Sequence, residues 1–208
     1  MAIKGKFITF EGPEGCGKST QSKLLSEFLV KEGYQVLHLR EPGSTEISEK
    51  IRQILLDPKN RAMSNICELF LYMAARSQLV EEKIIPNLKK GKIIICDRFQ
   101  DATLAYQGYA GGLDIKMIKC LGSLATFKIK PDLTILLDSC VKAGFKRINR
   151  ALDRLESKSF KYHLKVRKGY LALAKQEPKR IKVIPLEEKI DNTQNKIREI
   201  ILKCLLHK

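Results

Sequence analysis

The sequence lacks the patterns that mark membrane-spanning, secreted and zinc-binding proteins. No apolar run approaches the roughly 20 residues that cross a bilayer, and residues 1–6 lead into a strand-like segment without the charged and apolar regions of a signal peptide. The six cysteines include no CxxC pair, so we expect reduced thiols and no zinc site. These absences predict a cytoplasmic protein with no membrane partner.

Repeats, low-complexity segments and linkers are also absent from the sequence. A composition of 44% hydrophobic and 30% charged residues is ordinary for a globular protein. A length of 208 residues is enough for one compact α/β domain and short for two. We therefore expect a single domain over residues 1–208.

The net charge of +16 has two explanations. One explanation is an anionic partner such as a nucleotide or a nucleic acid. The other is that lysines are spread over solvated faces. Most lysines are scattered along the chain, which favours the second explanation. The exception is a basic cluster over residues 142–154.

Apolar runs of strand length alternate with helical patterns along the chain. The runs are continuous, which is typical of strands buried on both faces of a parallel sheet. They cover residues 6–10, 35–39, 93–96, 133–137 and 181–184. Helices are predicted over residues 19–31, 47–56, 64–88, 113–126, 141–149, 157–176 and 193–206. This alternation predicts an α/β fold, a doubly wound parallel five-stranded sheet with helices on both faces.

A glycine-rich loop follows the first predicted strand. Residues 12–19 read GPEGCGKS and fit the pattern G-x-x-x-x-G-K-[ST], with a strand before and a helix after. Its backbone N–H groups and the helix N-terminus can surround phosphate oxygens, Lys18 can reach the β- and γ-phosphates, and Ser19 can ligate Mg²⁺. We expect a nucleoside triphosphate to bind through Gly12, Pro13, Glu14, Gly15, Cys16, Gly17, Lys18, Ser19 and Thr20. GTPases, ATPases, helicases and small-molecule kinases all share this loop.

Asp97 and Arg98 follow directly after a strongly apolar predicted strand. The carboxyl end of a strand is the ligand-binding edge of an open α/β sheet. A carboxylate there can complete the Mg²⁺ site beside Ser19, and the guanidinium can bind a phosphate. A surface Asp–Arg pair is the weaker alternative, because the strand is so apolar.

Tyr72 and Arg76 are four residues apart in a predicted helix and therefore share a face. An aromatic ring and a guanidinium side by side could bind a base, and Arg, which only donates hydrogen bonds, would read a carbonyl-bearing base. The pattern alone favours an ordinary aromatic residue beside a solvated Arg. For Thr103, Tyr106 and Gln107, base-reading and simple helix polarity are equally well supported.

Arg147, Arg150 and Arg154, with Lys146, place cations at near-helical spacing. One interpretation is a mobile basic lid that closes over phosphates and excludes water. The alternative is a solvated helix whose cations pair with the neighbouring acids.

Five motifs, in order, resemble those of the thymidylate kinase family, over nearly the whole chain. The family pattern reads E-G-x-[ED]-G-x-G-K-[ST], R-E-P-G, F-x-A-x-R, D-R-[FYH] with A-Y-Q downstream, and D-R-x-E. The corresponding residues are 11–19, 40–43, 72–76, 97–99 with 105–107, and 153–156. The resemblance implies a nucleoside monophosphate kinase of P-loop NTPase fold with a short basic lid near residues 142–156. It also implies ATP and Mg²⁺, dTMP as acceptor, a homodimer and no nucleic-acid partner.

The resemblance also implies roles for the acceptor site. At the base end, Tyr72 would stack on thymine, Arg76 would bind O4, and Thr103 would face the N3 edge with Gln107 close by.

At the phosphate end, Arg98 would hold the dTMP phosphate, with Arg40 and Pro42 in the same region. Glu14 would contact the 3′-hydroxyl, and Tyr106 would lie under the sugar.

Members of the family keep a catalytic arginine either in the P-loop or in the lid. This P-loop contains none, so the chain resembles the bacterial, lid-arginine type. The expected catalytic residues are Lys18, Arg98, Arg147, Arg150 and Arg154. Two alternatives remain open at this point: a different nucleotide or nucleoside kinase, and a P-loop ATPase that binds nucleic acid.

Overall fold

A computed structural model describes residues 5–206 of the chain. Its strands are β1 (Lys6–Glu11), β2 (Val36–Arg40), β3 (Ile93–Asp97), β4 (Leu133–Asp138) and β5 (Ile181–Pro185). They form one parallel sheet in the order β2-β3-β1-β4-β5. The predicted α/β fold class is confirmed, and each strand ends one residue later than predicted.

Helices cover both faces of the sheet. They are α1 (Lys18–Lys31), α2 (Glu46–Leu56), α3 (Asn65–Leu79), α4 (Ile85–Lys89), α5 (Gln100–Thr103), α6 (Ile115–Ala125), α7 (Val141–Lys146), α8 (Phe160–Gln176) and α9 (Ile190–Leu206). A π-helical turn, Val80–Ile84, joins α3 to α4, and a second, Leu104–Ala110, continues α5. Capping side chains fix several starts; Ser64, for example, accepts a hydrogen bond from the backbone N–H of Cys67.

Alternate side chains of the central strands enter separate apolar cores. In β1, Ile8 and Phe10 pack in the core formed with α1 and α9, and Phe7 packs in the core formed with α3 and α4. A third core lies beneath α8 and includes Leu136 and Tyr170. Because both faces are covered, ligands can reach the sheet only at its edges.

The strand register brings three loops together at the carboxyl edge. Asp97 at the end of β3 pairs with Phe10 of β1 on one side and with Arg40 of β2 on the other. The P-loop, the loop after Arg40 and the Asp97–Arg98 turn therefore begin side by side. No helix within residues 5–206 is long and apolar enough to span a membrane.

The basic segment after α7 is not helical as predicted. The helix ends at Lys146 instead of continuing to residue 149, and regular structure resumes only at Phe160. Asp153 stabilises a turn there, because its Oδ1 accepts hydrogen bonds from the backbone N–H groups of Leu155 and Glu156 at 2.9 Å. The cations after Lys146 therefore point in directions that helical spacing does not describe.

Candidate active site

A cavity of about 720 Å³ opens at the carboxyl edge of the sheet. It is lined by most of the residues expected in the site: Glu14, Gly15, Gly17, Lys18, Ser19, Thr20, Arg40, Pro42, Tyr72, Arg76, Asp97, Arg98, Thr103, Tyr106, Gln107, Arg147 and Arg150. The cavity is large enough for two nucleotides to meet end to end. Four expected residues do not line it, namely Gly12, Pro13, Cys16 and Arg154.

The P-loop turns as its glycines predict. Gly15 and Gly17 have φ values of 65° and 80°, in the left-handed region that favours glycine. Lys18 is only 6% exposed, and its Nζ donates to the carbonyl of Pro13 at 2.8 Å. The Cys16 side chain is fully buried in the core beneath the loop, so this residue can offer a ligand only its backbone.

Ser19 and Asp97 meet at the base of the cavity. The Ser19 hydroxyl donates to Asp97 Oδ2 at 2.5 Å, while Asp97 Oδ1 is buried and has no hydrogen-bond partner among residues 5–206. Mg²⁺ usually takes only a few ligands from the protein when phosphate oxygens supply others. A carboxylate oxygen without a hydrogen-bond partner, next to a hydroxyl, suits that role. Within the described residues no cluster of three or more His, Cys, Asp or Glu side chains could hold a metal by itself.

Glu14 links the P-loop to Arg98 and Tyr106, which also line the cavity. Its Oε2 accepts from Arg98 Nη2 at 2.7 Å, and its Oε1 accepts from the Tyr106 hydroxyl at 2.6 Å. Burial acts to raise the pKa of Glu14, but Arg98 and Lys18 outweigh it and lower the pKa to about 2. The group is therefore a carboxylate at neutral pH.

Arg98 is held in a costly backbone conformation. Its φ is +70°, which is uncommon for a residue with a Cβ and costs on the order of 1–3 kcal/mol. The turn is maintained by Glu11, whose Oε1 accepts from the backbone N–H of Phe99 at 2.7 Å. Burial, and then Asp101, raise the pKa of Glu11 to about 8. Glu11 was missed, although it stands at the end of β1 within the first motif.

The N–H groups of the Arg76 guanidinium donate hydrogen bonds to protein acceptors. Nε and Nη2 bind Glu41 at 2.9 and 2.6 Å, and Nη2 also donates to Thr103 Oγ1 at 2.8 Å. Nη1 donates to Gln100 and otherwise has only the Met73 sulfur as a partner, at 3.6 Å.

The Arg76 N–H that donates to the Met73 sulfur has the weakest acceptor of the set, so a ligand carbonyl can compete for it. Tyr72 lies one helical turn away on the same cavity wall. Glu41 received no role from the sequence, although it lies inside the R-E-P-G motif.

The lid cations divide into two groups. Arg147 and Arg150 are exposed and line the cavity, and Arg150 forms a fork with both oxygens of Glu156 at 2.8 and 2.7 Å. Arg154 was expected to be a catalytic lid residue with the other two, but in this structure it does not line the cavity. It is buried, donates to the carbonyl of Leu55 at 2.7 Å and binds Glu68 at 2.5 Å.

Helix α2 adds another cation that the sequence did not reveal. Arg52 lines the cavity and donates to the carbonyl of Pro42 at 2.8 Å. It lies in an ordinary-looking helix, α2, so no motif could indicate it. Arg40 is held by Glu49, whose two carboxylate oxygens accept from Arg40 Nη2 at 3.0 and 2.9 Å.

The P-loop and the arginines Arg40 and Arg98 line one cavity, and a phosphotransferase needs such a shared site because its donor and acceptor must meet there. The fold and the site thus define the class of P-loop nucleotide phosphotransferases. The family model "Thymidylate kinase" matches residues 10–197. This chain therefore belongs to the thymidylate kinase family.

Relatives and a solved structure agree with this family. A thymidylate kinase of Thermoanaerobacter sp. (strain X514) is 48% identical over 98% of this chain and 100% of the relative. One of Geotalea uraniireducens (strain Rf4) is 48% identical over 97% of this chain and 98% of the relative. The crystal structure of thymidylate kinase from Ehrlichia chaffeensis matches with a TM-score of 0.78 and 33% identity, over 95% of this chain and 98% of that one.

Proposed function

We propose that the protein transfers the γ-phosphoryl group of ATP to the 5′-phosphate of dTMP, giving ADP and dTDP. Family membership supports the reaction. The observation that carries the choice of acceptor is the base end of the cavity. There one Arg76 N–H is held only by the weakly accepting Met73 sulfur, and the Gln107 side-chain oxygen has no hydrogen-bond partner among residues 5–206. Thymine presents the complement, the O4 acceptor and the N3–H donor, whereas cytosine presents the opposite pattern.

ATP would bind with its phosphates against the P-loop. The backbone N–H groups of residues 14–20 and the N-terminus of α1 favour anions there, and Lys18 supplies a buried positive charge. Ser19 and Asp97 would hold Mg²⁺, which neutralises charge on the β- and γ-phosphate oxygens. Asp97 Oδ1 is the atom left without a partner for this purpose.

The acceptor phosphate would lie near Arg98, between the P-loop and Arg40. Glu14 and Tyr106 are bound to each other beside it and are placed to contact the sugar. A phosphate acceptor is already an anion, so the reaction needs no general base. Catalysis then consists of holding the two phosphates in line and neutralising their charge.

The lid, taken as residues 142–156, would add Arg147 and Arg150 over the transferred phosphoryl group. Both side chains line the cavity, and neither is buried. Closing the segment would exclude water and place positive charge where it develops in the transition state. Arg154 has no part in this step, because its guanidinium is engaged beneath the lid.

We further propose that the whole chain acts as one kinase domain, in the cytoplasm and as a homodimer. Exposed apolar side chains on two neighbouring helices support the dimer, namely Ile66 and Phe70 of α3 and Leu124 of α6. Their exposed fractions of 41, 54 and 76% are high for such residues. Light scattering on the purified protein tests this proposal directly.

The reaction is tested by ADP release with ATP and Mg²⁺ in a coupled assay. The acceptors are dTMP, dUMP, dCMP, dGMP, UMP, thymidine and single-stranded DNA, with a reaction lacking any acceptor as control. We expect turnover with dTMP far above that with dCMP or any purine. Turnover only with DNA, or equal turnover without an acceptor, would refute the proposal and favour a nucleic-acid-dependent ATPase.

A further inference from the structure

Glu68 lies behind the base end of the cavity and contacts both the base site and the lid segment. It is 2% exposed and precedes Tyr72 by one turn of α3. Its Oε1 accepts from Gln107 Nε2 at 2.8 Å, and its Oε2 accepts from Arg154 Nη2 at 2.5 Å. Lys158 Nζ is 3.8 Å from the same Oε2. Glu68 itself does not line the cavity.

This contact allows the Gln107 amide only one orientation. A carboxylate can accept hydrogen bonds but cannot donate them, so the Gln107 side chain must turn its NH₂ group toward Glu68. Its carbonyl oxygen, Oε1, is then left for the cavity that Gln107 lines. Within residues 5–206 the Gln107 side chain has no other hydrogen-bond partner. Gln107 is 3% exposed, so water cannot easily compensate for a wrong orientation.

We propose that Glu68 is a positioning residue for base specificity, acting through the orientation of Gln107. This inference rests on the proposed function, because it concerns which pyrimidine monophosphate the cavity accepts. With Glu68 present, the cavity offers an acceptor to the N3–H of thymine or uracil. Cytosine has no hydrogen on N3, so its unprotonated nitrogen would face the Gln107 oxygen and repel it.

Arg154 explains why residue 68 must be an acid and not an amide. Arg154 only donates hydrogen bonds, so the atom of residue 68 that faces it must be an acceptor. In the Glu68→Gln variant the new amide would place its oxygen toward Arg154 and its NH₂ group toward Gln107. Gln107 would turn over to accept that bond and would present its own NH₂ group to the cavity. The variant would therefore offer a donor where thymine also has a donor.

The double variant Glu68→Gln/Gln107→Glu restores the acceptor. The amide at residue 68 keeps its oxygen on Arg154 and donates to the carboxylate at residue 107. The other carboxylate oxygen then faces the cavity, and the number of acidic groups is unchanged. A residue whose role is only to stabilise the fold gives no reason for the second substitution to repair the first.

The test is the ratio of kcat/KM for dTMP to that for dCMP, measured on wild type, Glu68→Gln and the double variant. We expect the ratio to fall by about tenfold or more in Glu68→Gln, mostly through KM for dTMP. The double variant should recover most of it. A Glu68→Gln ratio equal to that of wild type, or a double variant no better than the single one, would overturn the proposal.

The ratio also distinguishes a failure of this inference from a failure of the proposed function and from misfolding of a variant. Both kcat/KM values come from one preparation, so the ratio does not depend on the folded fraction, and unstable variants can be assayed at 15 °C. Wild type that fails to use dTMP would reject the proposed function itself. Wild type that prefers dTMP, with a Glu68→Gln variant that keeps this preference, would reject only the role of Glu68.

Discussion

Replacing Arg154 by Met would distinguish a structural cation from a catalytic one. The Met side chain keeps much of the volume but removes the charge that faces Glu68. The side chains of Arg154 and Glu68 are 7% and 2% exposed, so the remaining carboxylate would be buried beside Lys158 and Gln107 alone. Breaking a buried pair by removing one partner costs about 3–5 kcal/mol.

For a chain of this size, each kcal/mol shifts the melting temperature by about 2–4 °C. Arg154→Met should therefore melt about 6–20 °C below wild type, a range that follows from the same buried-pair cost. The matched control is Arg147→Met, which removes an exposed cation that has no ion pair among the described residues. It should change the free energy of unfolding by no more than about 0.5 kcal/mol.

Urea unfolding followed by circular dichroism gives the free energies, and the coupled assay with saturating ATP and dTMP gives kcat per folded molecule. We expect Arg154→Met to lose stability and keep kcat, and Arg147→Met to keep stability and lose kcat by about tenfold to a hundredfold. If Arg154→Met unfolded like wild type and lost kcat instead, the assignment of Arg154 to a structural role would be wrong.

Three further predictions concern the phosphate and metal groups. Lys18→Ala should lower kcat by about 10²–10³-fold, because no other side chain of residues 12–20 carries a positive charge; a fall of less than tenfold in the coupled assay would contradict this. Asp97→Asn should raise the Mg²⁺ concentration for half-maximal rate by about tenfold at an unchanged melting temperature, as measured by titration with MgCl₂. Because the pKa of Glu14 falls from 4.5 to about 2 on folding, it stabilises the fold above pH 4.5 and loses this effect as the pH falls toward 2. The stability difference between wild type and Glu14→Gln should therefore shrink by about 3 kcal/mol over that range in urea unfolding, and a difference independent of pH would refute the assignment.

The strands and most helices could be predicted because local pattern decides them. Apolar runs such as residues 93–96, alternating with helical patterns, are typical of a parallel sheet covered on both faces, and a P-loop between a strand and a helix has one common conformation. The end of α7 could not be predicted in this way. The chain beyond the helix is fixed by a turn in which the Asp153 carboxylate accepts hydrogen bonds from the backbone N–H groups of Leu155 and Glu156, and the spacing of the cations does not indicate these bonds.

Site residues could be predicted where they belong to a motif. They could not be predicted where their role depends on an ion pair with a residue far away in the sequence. Glu41 and Glu68 are buried acids whose importance comes from Arg76 and Arg154, which lie 35 and 86 residues away in the sequence. Such a pair is set by tertiary packing, so neither member can be recognised by its neighbours in the chain. For the same reason Arg154, which shares its spacing with Arg147 and Arg150, turned out to have a different environment.

The contact between Gly15 and Gly144 has a consequence for how the enzyme can move. A Cβ on Gly15 would collide with the carbonyl oxygen of Gly144, and a Cβ on Gly144 would collide with the carbonyl oxygen of Glu14. The start of α7 is therefore pressed, backbone against backbone, onto the loop that receives ATP. Any hinge that lets the basic segment move must therefore lie beyond Gly144. The hinge and the ATP-binding loop are then both attached to this same backbone contact.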